Sequence, residues 1–447
     1  MSIQPKEVAK AALASAKKSG ATEAEAFIVS NRELNVGIRD GRAESVKQSD
    51  ARGLGLRVIV DGKAALVYTS DFRPEAVATL AERAVALARH SESDPANRLA
   101  DPAPAPAKLE TFDPAVAALT PDKVIAMGVA AEKVARGVDP RIKSTQFGGA
   151  GASHGETWVI NSRGLETSYP RSVVSVFIGV LADDADGKKR NGNDGSAQRF
   201  LADLRPPEAI GREAGQARRA HGRREEGRHP EAAGADASRH RRQLDPEHVQ
   251  RVLGRAGVQE GVVPHREARP DRGLAADHAG RRPAAPRALG GVPYDDEGVP
   301  TRKVTLLEKG VVKGFVYNLR WAQKAGAAST GHATRGYTSV PFIGPHSVYI
   351  ENGATPVEEM IRGIDHGFYL TDTGAFGYDP ATGGWSYQAS GLMIEKGALG
   401  APVTDVSLAS DTLAMLKGVQ KVGNDLVFDG PINAPHLLID EMALSGT

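Results

Sequence analysis

The chain has 447 residues, of which 40% are hydrophobic and 25% charged, with a formal net charge of +1 and no cysteine. That composition fits a soluble globular protein of two or three domains and gives no global field for nucleic acid or anionic membrane. It excludes disulfides, thiolate catalysis and cysteine-ligated zinc or iron–sulfur sites.

The N-terminal residues 5–19 carry Val8, Ala11, Ala12 and Ala16 near helical spacing and end at Gly20, which predicts an amphipathic helix. They lack the unbroken apolar run of a signal peptide. No stretch of about 18 apolar residues marks a membrane span. The expected compartment is therefore the cytoplasm. The period then changes to alternation, and Asp40-Gly41 and Asp61-Gly62 are two-residue hairpin signals. A helix with Pro74 in its first turn closes a first α+β unit, residues 1–92. Residues 93–107, rich in proline and alanine, read as an extended linker. A helix after Pro121, with Thr120 in the cap position, and strands with a turn at Asn161–Gly164 form a middle α+β unit, 108–214.

Residues 215–286 break the pattern. No lysine occurs between Lys189 and Lys303, and no aromatic residue between Phe200 and Tyr294. Six of the twelve histidines fall here: His221, His229, His240, His248, His265 and His278. A nucleic-acid segment would explain the arginines, but Glu225, Glu226, Asp236 and Asp245 interrupt them and no aromatic is present to stack on bases. A histidine metal site would need close pairs with a carboxylate, yet the spacings are irregular and the chain contains no His-Glu dipeptide. Translation of a GC-rich gene in the wrong frame yields arginine, alanine, glycine, proline and histidine. It also loses lysine, aromatics and periodicity together, as this segment does. Low stability or local disorder is expected there.

The remainder, 287–447, reads as a β-rich domain. A hairpin is expected around Lys309-Gly310, with strands at "SVYIENG", "HGFYLTD" and "GLMIEKGALGAPV", a helix over "LASDTLAMLKGVQKVGND" and a closing strand in "PHLLIDEMALSG". The fold class is α+β, with no crossover pattern for a parallel sheet.

Four motifs invite a functional reading. Asp184–Gly195 bunches carboxylates and glycines without calcium-loop spacing and reads as a solvated hairpin loop. Phe147–Gly155 is glycine-rich but lacks the lysine of a phosphate loop, and its His154 reads as a surface strand residue. Asp295, Asp296 and Glu297 read as an acidic turn before a strand at Val304, or as a metal or catalytic carboxylate group. The glycine-rich stretch with Tyr378, Trp385 and Tyr387 reads as a long loop able to line a cleft, with no nucleophile–base pair.

Several stretches together resemble the TldD/PmbA family. They are "RDGRAESVKQSDARGLGLRVIVDGKAALVYTSD", "PYDDEGVPTRKVTLLEKGVVKGFVYNLRWAQKAG", "SYQASGLMIEKGALGAPV" and "GNDLVFDGPINAPHLLIDEMALSG". The resemblance covers roughly residues 1–210 and 285–447. It implies a metallopeptidase complex of two subunits. The TldD-like subunit carries a His-Glu-x-x-x-His helix and a late cysteine ligand, and the TldE/PmbA-like subunit lacks them. With no His-Glu pair and no cysteine, this chain resembles the second. The resemblance then implies a non-catalytic subunit paired with a TldD-like catalytic subunit. The pair would degrade unfolded or small peptides and process peptide precursors. Zinc is expected in the partner and none in this chain, and no catalytic, cofactor-binding or metal-ligating residue is assigned here. No direct nucleic-acid or membrane contact is expected. Two alternatives stand beside this reading. One is a regulatory binding protein of a toxin–antitoxin or gyrase pathway, after the family name "modulator of DNA gyrase". The other is the inactive product of a frame-shifted gene.

Overall fold

The computed structural model describes residues 4–104, 106, 109–183, 189–222, 241–244, 287–344, 346–379, 382–428 and 432–446. Helix α1 (Pro5–Lys18) and helix α2 (Pro74–Arg89) both begin at proline, whose missing N–H lies where no intrahelical partner exists. Alanines 9, 12 and 16 of α1 and 81, 84 and 88 of α2 are fully buried, so the two helices approach closely over one apolar cluster. Ala9, rather than the expected Ala11, joins Val8, Ala12 and Ala16 on the buried stripe.

The strands β1 (Glu23–Arg39), β2 (Arg42–Val60) and β3 (Lys63–Thr69) follow as two hairpins. Both turns are of the expected Asp-Gly type. Asp40 and Gly41 have φ of 53° and 75°, and Asp61 and Gly62 have 52° and 80°, the mirror-image turn that matches strand twist. A short helix α3 (Pro114–Ala117) precedes α4 (Pro121–Gly137). Thr120 occupies the N-cap of α4 but makes no side-chain capping bond, whereas Asp113 does cap α3. Strands β4 (Ile142–Asn161), β5 (Glu166–Asp183) and β6 (Lys189–Gln198) complete one antiparallel sheet in the order β3-β2-β1-β4-β5-β6. The two helix-plus-sheet units read from the sequence thus share a single sheet. β1 pairs with β4 from Glu25↔Asn161 to Gly37↔Gly149.

The alternation of β1 explains the layers. Ala24, Ala26 and Ile28 face the α1–α2 pair, and Leu34, Val36 and Ile38 on the same face meet α4 and the helix α5 (Pro207–Gly222). Helix α5 runs without a break through Gly215, where the sequence reading placed a boundary. At Gly211, a Cβ would stand 2.1 Å from the Ala131 carbonyl oxygen, so only glycine allows this approach of α5 to α4. Gly211→Val is expected to cost roughly 1–3 kcal/mol, read as a lower urea midpoint with unchanged slope.

The opposite face of β1 carries Glu25, Phe27 and Val29. Its upper end is covered by the C-terminal half, where Phe27 clusters with Val159, Leu165 and Leu319. Residues 24–28 are therefore buried on both faces. The C-terminal half opens with a small ladder of β8 (Leu307–Glu308) and β9 (Val311–Val312) around Lys309-Gly310. A second pairs β10 (Ala333–Thr334) with β11 (Phe342–Ile343), and a third sets β12 (Val348–Tyr349) parallel to β17 (Ile432–Asn433). No strand forms at Val304, contrary to expectation. The second sheet contains β13 (His366–Tyr378), β14 (Gly384–Glu395), β15 (Ala398–Asp411), β16 (Val419–Val422), β18 (Leu437–Ile439) and β19 (Ala443–Ser445). Tyr378 ends β13, and Trp385 and Tyr387 lie in β14, so these residues are in strands and not in a long loop. Trp385 and Tyr387 are buried in the core of this sheet, with ring centroids 5.4 Å apart. The helix expected over residues 408–425 is only Thr412–Lys417. Asp411 caps it and Gly418 ends it, with strands on both sides.

Of the anomalous segment, residues 223–240 and 245–286, with the disorder expected there, lie outside the described residues. Residues Arg241–Leu244 form β7, inserted between β18 and β13 and parallel to β13. Part of Asp184–Gly195 also lies outside, and its remainder belongs to β6.

Candidate functional site

The acidic turn Asp295–Glu297 is neither a solvated turn nor an open carboxylate cluster. Asp295 and Glu297 are each 1% exposed. Asp295 spends both oxygens on its surroundings. Its Oδ1 accepts from Glu297 N at 3.0 Å and Val299 N at 2.9 Å, and its Oδ2 from Ala333 N at 2.9 Å. Asp296 Oδ2 accepts from Arg335 N at 2.8 Å and from Thr334 Oγ1 at 3.3 Å. Glu297 Oε2 accepts from Leu319 N at 2.9 Å, the first residue of the helix Leu319–Lys324. Gly298, with φ of 78°, closes the turn where a Cβ would meet Leu165 at 2.4 Å.

Glu297 also reaches the first sheet. Arg57 of β2 lies directly opposite Glu25 of β1, and its Nε is 3.3 Å from Glu25 Oε1. Arg57 Nη1 lies 3.5 Å from Glu297 Oε1, and Nη2 donates to the Arg98 carbonyl at 3.2 Å. From the C-terminal half, Arg335 Nη2 stands 2.8 Å from the same Glu25 Oε1, and its guanidinium lies over the Phe27 ring at 4.4 Å. Two carboxylates and two guanidiniums thus form a buried, charge-balanced clasp between the halves. Although the pairs are close, neither oxygen of Glu25 and no guanidinium nitrogen of Arg335 makes a well-directed hydrogen bond among the described residues. The attraction is therefore mainly coulombic, undiluted by water.

Burial pushes the Asp295 carboxyl well above the usual carboxylate range, and Glu297 beside it adds to the effect. Burial likewise raises Asp296 and Glu297, the latter against the pull of Arg57. For Arg57 burial works downward, but Glu25 and Glu297 outweigh it and hold it raised. A carboxyl raised in the fold contributes stability that is fully present below its unfolded pKa and is lost as pH rises through its folded one. Asp296→Asn keeps an oxygen acceptor and removes the charge. Its stability relative to wild type is expected to improve as pH rises from about 4 and to level off above the folded pKa of Asp296, measured by urea midpoints; a flat difference throughout would contradict the raised carboxyl.

Chemically, the clasp can hold two halves together, its carboxylates facing the guanidiniums of Arg57 and Arg335 inside the protein. His154 sits half-buried on β4 opposite Arg32 and Ser172, as a strand residue. A chain that the sequence did not reveal joins Asp425, His436 and Tyr369. His436 Nδ1 contacts Asp425 Oδ2, Asp425 Oδ1 accepts from His436 N at 3.1 Å, and His436 Nε2 is 3.0 Å from the Tyr369 hydroxyl. It ends in a phenol, not in the alcohol or thiol of an acyl-transfer nucleophile, and its partners lie 11 and 67 residues apart, beyond the reach of motif reading.

Three family models match the chain. They are PmbA/TldA metallopeptidase domain 1 over residues 24–88, the central domain over 114–223 and the C-terminal domain over 280–446. The chain is 26% identical to the metalloprotease PmbA of Escherichia coli O157:H7 over 464 aligned residues, covering 97% of this chain and 94% of that one. It is 27% identical to a metalloprotease TldD homolog of Buchnera aphidicola, over 31% of this chain and 29% of that one. TldE from Thermococcus kodakarensis has the same fold, with a TM-score of 0.82 at 22% identity, covering 98% of this chain and 100% of that one. So does a Thermotoga maritima protein described as a modulator of DNA gyrase, with a TM-score of 0.82 at 22% identity, covering 99% of this chain and 100% of that one. The metal implied by these names finds no ligand set among the described residues. The chain has no cysteine, and no three His, Asp or Glu side chains gather as a ligand set among the described residues. No helix among them is long and apolar enough to cross a membrane.

Proposed function

Because the chain belongs to the PmbA/TldD metallopeptidase family, we propose that it is the non-catalytic, TldE/PmbA-like subunit of a zinc-dependent peptidase complex. Its substrates are unfolded or small peptides, including peptide precursors, and its partner is a TldD-like chain in the cytoplasm. The observation that carries the reading is that no metal-ligand set gathers among the described residues of a chain whose C-terminal family domain is matched over residues 280–446 without a cysteine. The breadth of the likeness supports it: 97% of the chain aligns with PmbA, against 31% with the TldD homolog. Zinc held by the partner polarises the scissile carbonyl and acidifies its bound water. The present chain contributes a rigid wall, the two halves locked by the clasp.

The test is cleavage of an unstructured peptide by the chain alone, by a TldD-like partner alone and by both. Cleavage only by the mixture, abolished by EDTA and restored by zinc, is the expected result. Cleavage by this chain alone would overturn the non-catalytic assignment. A mixture in which it changes nothing would favour the regulatory binding protein instead.

A second observation concerns residues 224–279. The matched domains end at 223 and resume at 280, bracketing the stretch without lysine or aromatic residues. We infer that this stretch is read out of frame. Resequencing the coding DNA across residues 205–290 tests it. A frame restoring lysines, aromatics and alternation supports the inference, and a His-Glu-x-x-x-His within it would move the chain to the catalytic side.

A further inference from the structure

Asp425, His436 and Tyr369 come from three segments of the second sheet. Tyr369 lies near the start of β13, His436 stands directly before β18, and Asp425 follows the end of β16. β13 and β18 flank β7, so His436 reaches Tyr369 across an intervening strand. The bonding pattern fixes where the protons are. A carboxylate only accepts, so His436 Nδ1 carries the proton that meets Asp425 Oδ2. Nε2 then holds a lone pair, and the Tyr369 hydroxyl, 3.0 Å away, is the donor. The imidazole is held in place from several sides. Asp425 Oδ1 also accepts from the backbone N of His436 at 3.1 Å, and Gly423 N donates to the His436 carbonyl at 2.8 Å. The phenol ring lies nearly parallel to the imidazole, inclined by 16° with centroids 5.7 Å apart. All three side chains are partly exposed, so a small reagent can reach them.

A reacting O–H bound to a base, with the base held in one tautomer by a carboxylate, is the arrangement that activates a nucleophile. A phenol needs such help, because with an ordinary pKa of about 10 it is almost wholly un-ionised at neutral pH. We propose that Tyr369 is a site of covalent modification, at which the phenol oxygen attacks a tetrahedral phosphoryl centre that bears a good leaving group. The O–P bond forms as the leaving group departs with its electron pair, and the phenol proton passes to His436 Nε2. Asp425 faces the imidazolium so produced. With no cysteine in the chain, no thiol competes for the phosphoryl donor. The inference does not rest on the peptidase reading.

The test treats the full-length chain with an aryl fluorophosphonate, from which fluoride leaves, and locates the adducts by mass spectrometry. Tyr68, 57% exposed, is the internal comparison, since exposure alone would make it react first. At neutral pH, Tyr369 is expected to react at least about tenfold faster than Tyr68, and His436→Gln to slow it by about a hundredfold, the lower range for a general base. Asp425→Asn should slow it comparably, because an amide can donate to Nδ1 and leave the proton on Nε2. Near pH 10 the phenol ionises without a base, so wild type and both variants should converge there, with Tyr68 labelled equally in all three. Tyr369 reacting no faster than Tyr68 overturns the proposal, as do variants that react as fast as wild type. A gap that persists near pH 10 marks the chain as a structural tie and overturns it too. Should a variant not fold, the wild type alone decides: the ratio of Tyr369 to Tyr68 labelling must fall as pH rises toward about 10, and a constant ratio overturns the proposal.

Discussion

Arg335→Met is expected to lower the stability of the fold by roughly 3–5 kcal/mol, the range for removing one partner of a buried ion pair. Arg335 and Glu25 are 7% and 0% exposed, so the stranded carboxylate has no access to water. Arg57 remains 3.3 Å from it but is shared with Glu297. The loss should therefore come from an excess negative charge, not from lost contacts, since methionine still covers Phe27. Glu25→Gln combined with Arg335→Met restores charge balance and should recover most of the loss. Urea unfolding of the two single variants and the double one separates the terms. A double variant as unstable as the sum of the singles would show that packing, not charge, sets the cost.

Asp295→Ala should be nearly as damaging, at about 3 kcal/mol or more. It leaves the amides of Glu297, Val299 and Ala333 without their acceptor, and each unmet buried donor costs about 1–3 kcal/mol. Asp295→Asn retains one oxygen and removes a charge that burial disfavours, so its loss should be smaller. The comparison also decides the role of the turn. For a clasp, stability falls while cleavage by the assembled complex is unchanged at temperatures where the variant is folded. For a catalytic carboxylate, both substitutions would abolish cleavage and leave stability nearly intact.

The position of this clasp was hidden from sequence reasoning for a definite reason. Along "EAEAFIV", Glu25 occupies the alternate position of a strand, where a carboxylate ordinarily faces solvent. The strand is buried on both faces there only because the C-terminal half lies over it. Arg57, Glu297 and Arg335 come from stretches 32 to 310 residues away from Glu25, a range that no local pattern spans. The glycine-rich stretch around Trp385 misled in the opposite direction. All its glycines but Gly383, which has φ of 75° in the turn, lie within two paired strands, where loop composition carries no weight once neighbours supply the ladder.

The sequence by itself determined the elements whose causes are local. These are the proline-started helices α1, α2 and α4, the mirror-image turns at Asp40-Gly41, Asp61-Gly62 and Lys309-Gly310, and the α+β class that follows from them. It also determined the missing cysteine and the family to which these patterns belong. Only the tertiary structure decided that six strands from two units form one sheet, and which carboxylates are buried. Both depend on which surfaces meet, and a meeting of surfaces distant in the chain is set by the burial they share, not by the residues next to either.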